Sequence, residues 1–318
     1  MSEVVIRAEA LTKRFVTGRL RRRSIEAVAD LTFEVRRGEI FAFLGPNGAG
    51  KTTTINLLMG FLRPTRGCAF VLGHPAGARE ARQRIGYLPE GYAFYTAFAA
   101  PILLDIFGRF FRLPVAERRT RIERILKDFD LWRARTLPIG KYSRGMRQCL
   151  GLAQALVNDP KLLILDEPTS GLDPRGRRMV RELLLRYKSE GATVFLCSHI
   201  LSEVETICDR VAILDRGRIV REGTLKELIG GHRGYEIRFA PIERMMLDRV
   251  RALGANVELV EGECRTFVTD ELLAQRIVEV VRSSGGVLKA YIPTMRTLEE
   301  VFLELTGRYL APSSSEEA

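Results

Sequence analysis

The stretch GEIFAFLGPNGAGKTTTINLL, residues 38–58, decides the fold. Its opening run, Glu39 to Leu44, is almost wholly apolar. A run this short and this apolar reads as a strand buried on both faces, as in a parallel sheet covered by helices. Gly45, Gly48 and Gly50 follow, and then a helix-like stretch from Thr52 to Leu62. Strand, glycine loop and helix in this order turn backbone N–H groups toward the positive end of a helix, which is an anion site.

The loop Gly45-Pro46-Asn47-Gly48-Ala49-Gly50-Lys51-Thr52-Thr53 satisfies G-x-x-x-x-G-K-[ST] at every position. Small residues let N–H groups close around phosphate oxygens. Lys51 reaches the outer phosphates, and Thr52 sets its hydroxyl on Mg²⁺. Alone, the loop leaves an ATPase, a GTPase and a small-molecule kinase open. A second apolar run, Leu162 to Leu165, ends in Asp166-Glu167. A carboxylate at the tip of a buried strand can hold Mg²⁺ beside the phosphates, which suits Asp166. Glu167, one residue on, can orient or activate a water in line with the γ-phosphate.

Further out, Val4 to Ala8, Leu31 to Val35 and Thr193 to Cys197 read as short strands. Residues from about 91 to 160 read as helix-rich, with an amphipathic stretch from Arg118 to Phe129. The alternation predicts a mostly parallel α/β sheet with a helical insertion. Near Gly230-Gly231 the pattern breaks. Strands at 235–239, 256–260, 264–268 and 287–292, with helices at 244–253 and 271–283, give a β-α-β-β-α-β order. That order predicts a small ferredoxin-like α+β unit, followed by a helix at 298–305. The expected domains are therefore 1–230, 231–310 and a polar tail at 311–318. The second carries no cluster of His, Cys or paired carboxylates, so regulation or dimer contact is expected of it.

The chain of 318 residues has a formal net charge of +11, which favours anionic partners such as nucleotide phosphates, an anionic membrane surface or nucleic acid. Arg19, Arg21, Arg22 and Arg23 form a basic loop, read as a solvated turn. The five cysteines, Cys68, Cys149, Cys197, Cys208 and Cys264, make no metal-ligand spacing, so reduced thiols are expected. The start lacks a signal-peptide pattern, and no apolar run reaches the length of about 18 residues that a membrane helix needs. Any membrane role is expected to pass through a partner.

Between and after the two phosphate motifs, the residues resemble the nucleotide-binding subunits of ABC transporters over roughly residues 4–230. Tyr142-Ser143-Arg144-Gly145-Met146 stands where the family's LSGGQ signature stands, ending 20 residues before Asp166. It keeps the Ser and the second Gly and replaces Leu by Tyr, the first Gly by Arg and Gln by Met. This YSxGM form resembles the exporter branch. Phe15 falls where the family stacks an aromatic ring on adenine. Ser170-Gly171-Leu172-Asp173 matches its dimer-interface loop, and His199 its switch histidine facing the γ-phosphate. After Gly86-Tyr87-Leu88-Pro89 the family most often has Gln, and here Glu90 stands. A carboxylate can still ligate Mg²⁺.

The resemblance implies a P-loop NTPase core with an antiparallel β subdomain and a helical insertion. It implies ATP and Mg²⁺ as cofactors, and ATP hydrolysis that powers transport. Ser143, Gly145, Met146 and Asp173 would meet the ATP of an opposite subunit, in a homodimer or a dimer with a related ATPase subunit. The expected partner is an integral membrane permease at the cytoplasmic face of the membrane, docked through a few of the insertion's aromatics, Tyr92, Phe94, Tyr95, Phe98, Phe107, Phe110 and Phe111, most of which are expected to pack inside the subdomain. No nucleic acid is expected. The alternative is a soluble ABC ATPase acting on nucleic acid or the ribosome. The lack of a long heptad segment and the single motif set weigh against it.

Overall fold

A computed structural model of the chain describes residues 3–17, 23–230, 232–240, 244–260 and 262–307. The basic turn at Arg19, Arg21 and Arg22 and the polar tail lie outside these residues. Lys226–Glu304 form one compact unit, and the rest of the described chain forms another.

The larger unit opens on two long strands, β1 (Val4–Thr17) and β2 (Arg23–Arg36). Both outrun the expected Val4 to Ala8 and Leu31 to Val35. Ala10 and Asp30 take left-handed conformations, φ 49° and 56°, and the pairing shifts register around them. These bulges break the apolar alternation that marks a strand in sequence. Beyond them, polar pairs such as Arg14–Glu26, 2.8 Å, continue the ladder. β4 (Arg66–Val71) and β5 (His74–Pro75) complete an antiparallel sheet in the order β2-β1-β4-β5.

The central sheet uses β3 (Ile40–Leu44), β6 (Ile85–Leu88), β7 (Leu162–Asp166), β8 (Thr193–Ser198), β9 (Arg210–Asp215) and β10 (Arg218–Thr224). Its order is β10-β9-β3-β8-β7-β6, and only β10 runs antiparallel to its neighbour. Every residue of β3, β7 and β8 is buried. Phe33, Phe41, Phe43 and Phe195 stack between the two sheets with ring centroids 4.8–6.1 Å apart. Each such ring contributes about 1.5–3 kcal/mol by leaving water.

Around these sheets lie α1 (Lys51–Leu58), α2 (Arg79–Arg82), α3 (Ala100–Phe110), α4 (Val115–Asp128), α5 (Arg144–Ala155), α6 (Pro174–Ser189) and α7 (Leu201–Ile207). Helix α1 stops short of the expected Leu62, because Gly60 turns left-handed at φ 71° just past its end. A short helix, α8 (Leu225–Ile229), follows β10.

The smaller unit holds β11 (His232–Ala240), α9 (Arg244–Ala252), β12 (Val257–Val260), β13 (Glu263–Val268), α10 (Glu271–Ser283), β14 (Val287–Met295) and α11 (Leu298–Thr306). Its antiparallel sheet runs β12-β13-β11-β14. That is the strand order of a ferredoxin-like unit, with Ile237, Phe239, Val250, Ile277 and Val281 in its core.

Candidate functional site

Strand register assembles the site. β3, β8 and β7 are parallel neighbours, with Leu44 beside Ser198 and Cys197 beside Asp166. The residues that follow, Gly45, His199 and Glu167, therefore leave the sheet at one edge. This is the carboxyl end of the strands, where open α/β sheets bind ligands.

The glycine loop joins β3 to α1. Gly50 caps the helix at φ 103°, and a Cβ there would stand 2.5 Å from the carbonyl oxygen of Ala27. A Cβ on Gly45 would stand 2.6 Å from the carbonyl oxygen of Leu214. The loop thus has no room for side chains at either hinge. Lys51 is buried and donates to the carbonyls of Gly45 and Pro46, which keeps its ammonium inside the loop. Pro46 to Thr53, with Glu90, Asp166 and Glu167, line one cavity of about 320 Å³.

Asp166 is 1% exposed. Thr52 Oγ1 donates to its Oδ2 at 2.8 Å, while its Oδ1 is buried with no hydrogen-bond partner. Burial pushes its carboxyl up to about 6, helped by Glu90 and Glu167 and opposed by the Thr52 hydroxyl and Lys51. An orphaned oxygen beside a hydroxyl and a second carboxylate is an all-oxygen donor set. It fits a hard divalent cation such as Mg²⁺, which would satisfy the free oxygen and hold the carboxylate ionised.

Glu167 sits at φ 50°, a left-handed conformation that costs a non-glycine residue about 1–3 kcal/mol. Its N–H donates to Cys197 O at 2.9 Å, and Gln148 Nε2 holds its own carbonyl at 3.2 Å. In this pose Oε2 lies 2.8 Å from His199 Nδ1. That hydrogen bond raises His199 above the ordinary histidine range, against the opposing effect of burial. Behind them, Thr169 Oγ1 donates to Glu203 on α7, and Glu203 Oε1 lies 3.6 Å from Arg177 on α6.

The remaining expected residues stand apart from this cavity. Ser143, Gly145 and Met146 line a separate cavity of about 870 Å³ together with Leu172 and Asp173. Ser143 caps α5, accepting from Met146 N–H at 3.2 Å, so its hydroxyl proton stays available to donate. Asp173 caps α6 by accepting from Gly176 N–H at 2.7 Å. A Cβ on Gly145 would meet nothing nearer than 3.5 Å within this chain. Phe15 is half-buried on β1, with the Lys13 ammonium 5.3 Å from its ring centre, and does not line the glycine-loop cavity.

Sequence reasoning missed Gln148 and Glu203, and named Tyr92 only among the aromatics of the insertion. The signal for Glu203 was its place just after His199, in the first turn of α7. Gln148 and Tyr92 gave none, because their roles rest on side-chain contacts across the fold.

A glycine loop closing on a buried lysine, with two acids and a histidine at the same sheet edge, defines a P-loop nucleotide hydrolase. Residues 28–170 match the family model for the ABC transporter. An ABC transporter ATP-binding protein of Synechocystis sp. is 44% identical over 235 residues, 73% of this chain and 66% of that one. A Nod factor export ATP-binding protein I of Ralstonia nicotianae is 36% identical over 301 residues, 92% of this chain and 93% of that one. A solved ATP-binding subunit of an ABC transporter superposes with a TM-score of 0.63 at 32% identity, covering 70% of this chain and 91% of that one. The chain belongs to the ATP-binding subunits of ABC transporters, which bind ATP and hydrolyse it to power transport. Subunits of this family dimerise and work with membrane permeases.

Proposed function

We propose that the chain drives an exporter from the cytoplasmic face of the membrane, with Glu167 activating the water that cleaves ATP. Glu167 carries this reading. Glu167 lines the cavity of the glycine loop, and its strained backbone points a buried carboxylate at His199.

The loop N–H groups and the positive end of α1 hold the phosphates. Lys51 exchanges the loop carbonyls for phosphate oxygens. Thr52, Asp166 and Glu90 would hold Mg²⁺, which neutralises charge on the phosphates. Glu167 takes a proton from the attacking water, and His199 orients that carboxylate and faces the γ-phosphate. The adenine would stack on Phe15, one strand over from Ala27, which lines the cavity.

Ser143 and Gly145 face a cavity of their own rather than this chain's glycine loop, so they suit an ATP held by a second subunit. The free space at Gly145 supports that reading, since nothing in its own chain demands a glycine there. ATP bound between two chains favours the closed dimer, and hydrolysis releases it.

Export is supported by the Ralstonia nicotianae relative, whose match extends through both units of this chain. Among the described residues, no helix is long and apolar enough to cross a membrane, so a permease would be a separate chain or segment. A groove of about 450 Å³ between Arg79, Arg82, Tyr87, Phe107, Phe110 and Phe111 suits a short helix of that permease.

Replacing Glu167 by Gln is expected to lower kcat by about 10²-fold or more while ATP still binds. Steady-state turnover and nucleotide titration of the variant check this. Near-normal turnover would remove Glu167 from the role.

A further inference from the structure

The pose of Glu167 is held from outside its own strand. Gln148 Nε2 donates to two successive carbonyls, Glu167 O at 3.2 Å and Pro168 O at 2.8 Å. Carbonyls only accept, so the amide nitrogen must face them and the amide oxygen must face away. That oxygen accepts from Tyr92 Oη–H at 2.8 Å. All three hydrogen bonds are satisfied in one orientation, and Gln148 is 8% exposed.

The Tyr92 ring is fixed by packing. Gly151 lies one turn beyond Gln148 on α5, and a Cβ there would stand 2.9 Å from Tyr92 Cζ and 2.7 Å from Leu88 Cδ1. The absent side chain leaves room for the phenol to approach α5 closely and reach Gln148.

Three segments therefore meet at Gln148. One is the turn that holds Glu167 at φ 50°. The second is α5, whose N-cap is Ser143. The third is the loop carrying Glu90 and Tyr92, which leads toward α3. We propose that Gln148 is a positioning residue for hydrolysis. It fixes the backbone from which the Glu167 carboxylate projects, and Tyr92 sets the direction of its amide. A shift of the Glu90–Phe94 loop or of α5 is then felt at the attacking water without either touching it. This rests on Glu167 being the group that activates the water.

The test uses the full-length chain with Gln148→Leu, Gln148→Glu and Tyr92→Phe. It reads kcat, the Kd for ATP and the melting temperature. Gln148→Glu keeps an acceptor for Tyr92 but has no donor for the two carbonyls. Both Gln148 variants are expected to lose about 10- to 100-fold in kcat, the scale of a small misplacement of a reacting group. Their ATP affinity should stay near that of the parent. Tyr92→Phe is expected to lose less, in the same direction. Combined with Glu167→Gln, Gln148→Leu should remove nothing further from the residual single-turnover rate.

The inference is overturned if kcat per folded molecule is unchanged while only the melting temperature falls, or if the losses multiply with Glu167→Gln. Should the Gln148 variants fail to fold, Tyr92→Phe decides, since it deletes one oxygen atom, and an unchanged kcat there overturns the inference. If Glu167→Gln itself turns over normally, the role of Glu167 falls and this inference with it. If Glu167→Gln is inactive but the Gln148 and Tyr92 variants are not impaired, this inference alone falls.

Discussion

At the scale of single residues, the site holds charge that the empty fold resists. Burial raises Asp166 to about 6, so the folded chain favours the neutral carboxyl. A carboxyl raised in this way contributes stability that is complete below its unfolded value, near pH 4, and is lost as pH rises through about 6. Without metal and nucleotide at neutral pH, the ionised Asp166 is a cost of up to about 3 kcal/mol. Asp166→Asn is therefore expected to raise the melting temperature in EDTA at pH 7.5, with the gain gone by about pH 4. Calorimetry at the two pH values checks this, and a lower melting temperature at both would show that burial does not dominate. The same variant should lose ATP turnover.

The residues of the proposed site were legible because motif and strand coincide. Asp166 and Glu167 close an unbroken apolar run, and Lys51 and Thr52 open a helix after three glycines. Gln148 and Tyr92 were not legible. They are separated by 56 positions; Gln148 alone reads as an ordinary polar residue of a helix, and Tyr92 as one of the insertion's aromatics. Asp173 was legible as part of its loop, yet its observed contact is a helix cap. That is what an Asp followed by Pro at a helix start does in any protein.

At the scale of elements, legibility follows burial. β3, β7 and β8 are buried along their whole lengths, so their sequences read as continuous apolar runs and their bounds fall within a residue of expectation. β4 is exposed over its first three residues and β10 buries none, and they carry Arg66, Gly67, Arg218, Arg221 and Glu222, so no apolar run announces them. The aromatics of the insertion also behave differently from packed core. Tyr95 and Phe110 are 75% and 77% exposed, and Tyr92, Phe94, Phe98, Phe107 and Phe111 are half-buried. Helix α3 buries Leu103, Leu104 and Gly108 and leaves Phe107 and Phe110 to line the groove. Phe110→Asp is thus expected to abolish recovery of a multi-span membrane protein when the tagged chain is pulled from its own membranes in mild detergent. ATP turnover of the isolated chain should persist. Equal recovery with parent and variant would place the permease elsewhere.

At the scale of the molecule, the two sets of residues proposed to hold ATP do not meet within one chain. The glycine loop, Glu90, Asp166 and Glu167 share one cavity, and Ser143, Gly145 and Asp173 share another. The family resemblance already assigned the second set to the ATP of an opposite subunit, and the three-dimensional arrangement is consistent with that by placing the two sets at separate cavities. The smaller unit adds its own core, and the match to the Ralstonia nicotianae export protein reaches into it.

The most direct test is sedimentation of Glu167→Gln with and without saturating Mg-ATP. The account predicts a monomer without nucleotide and a dimer with it, and loss of that dimer when Ser143 is also replaced by a residue with no hydroxyl. A chain that binds ATP yet stays monomeric would contradict the composite site.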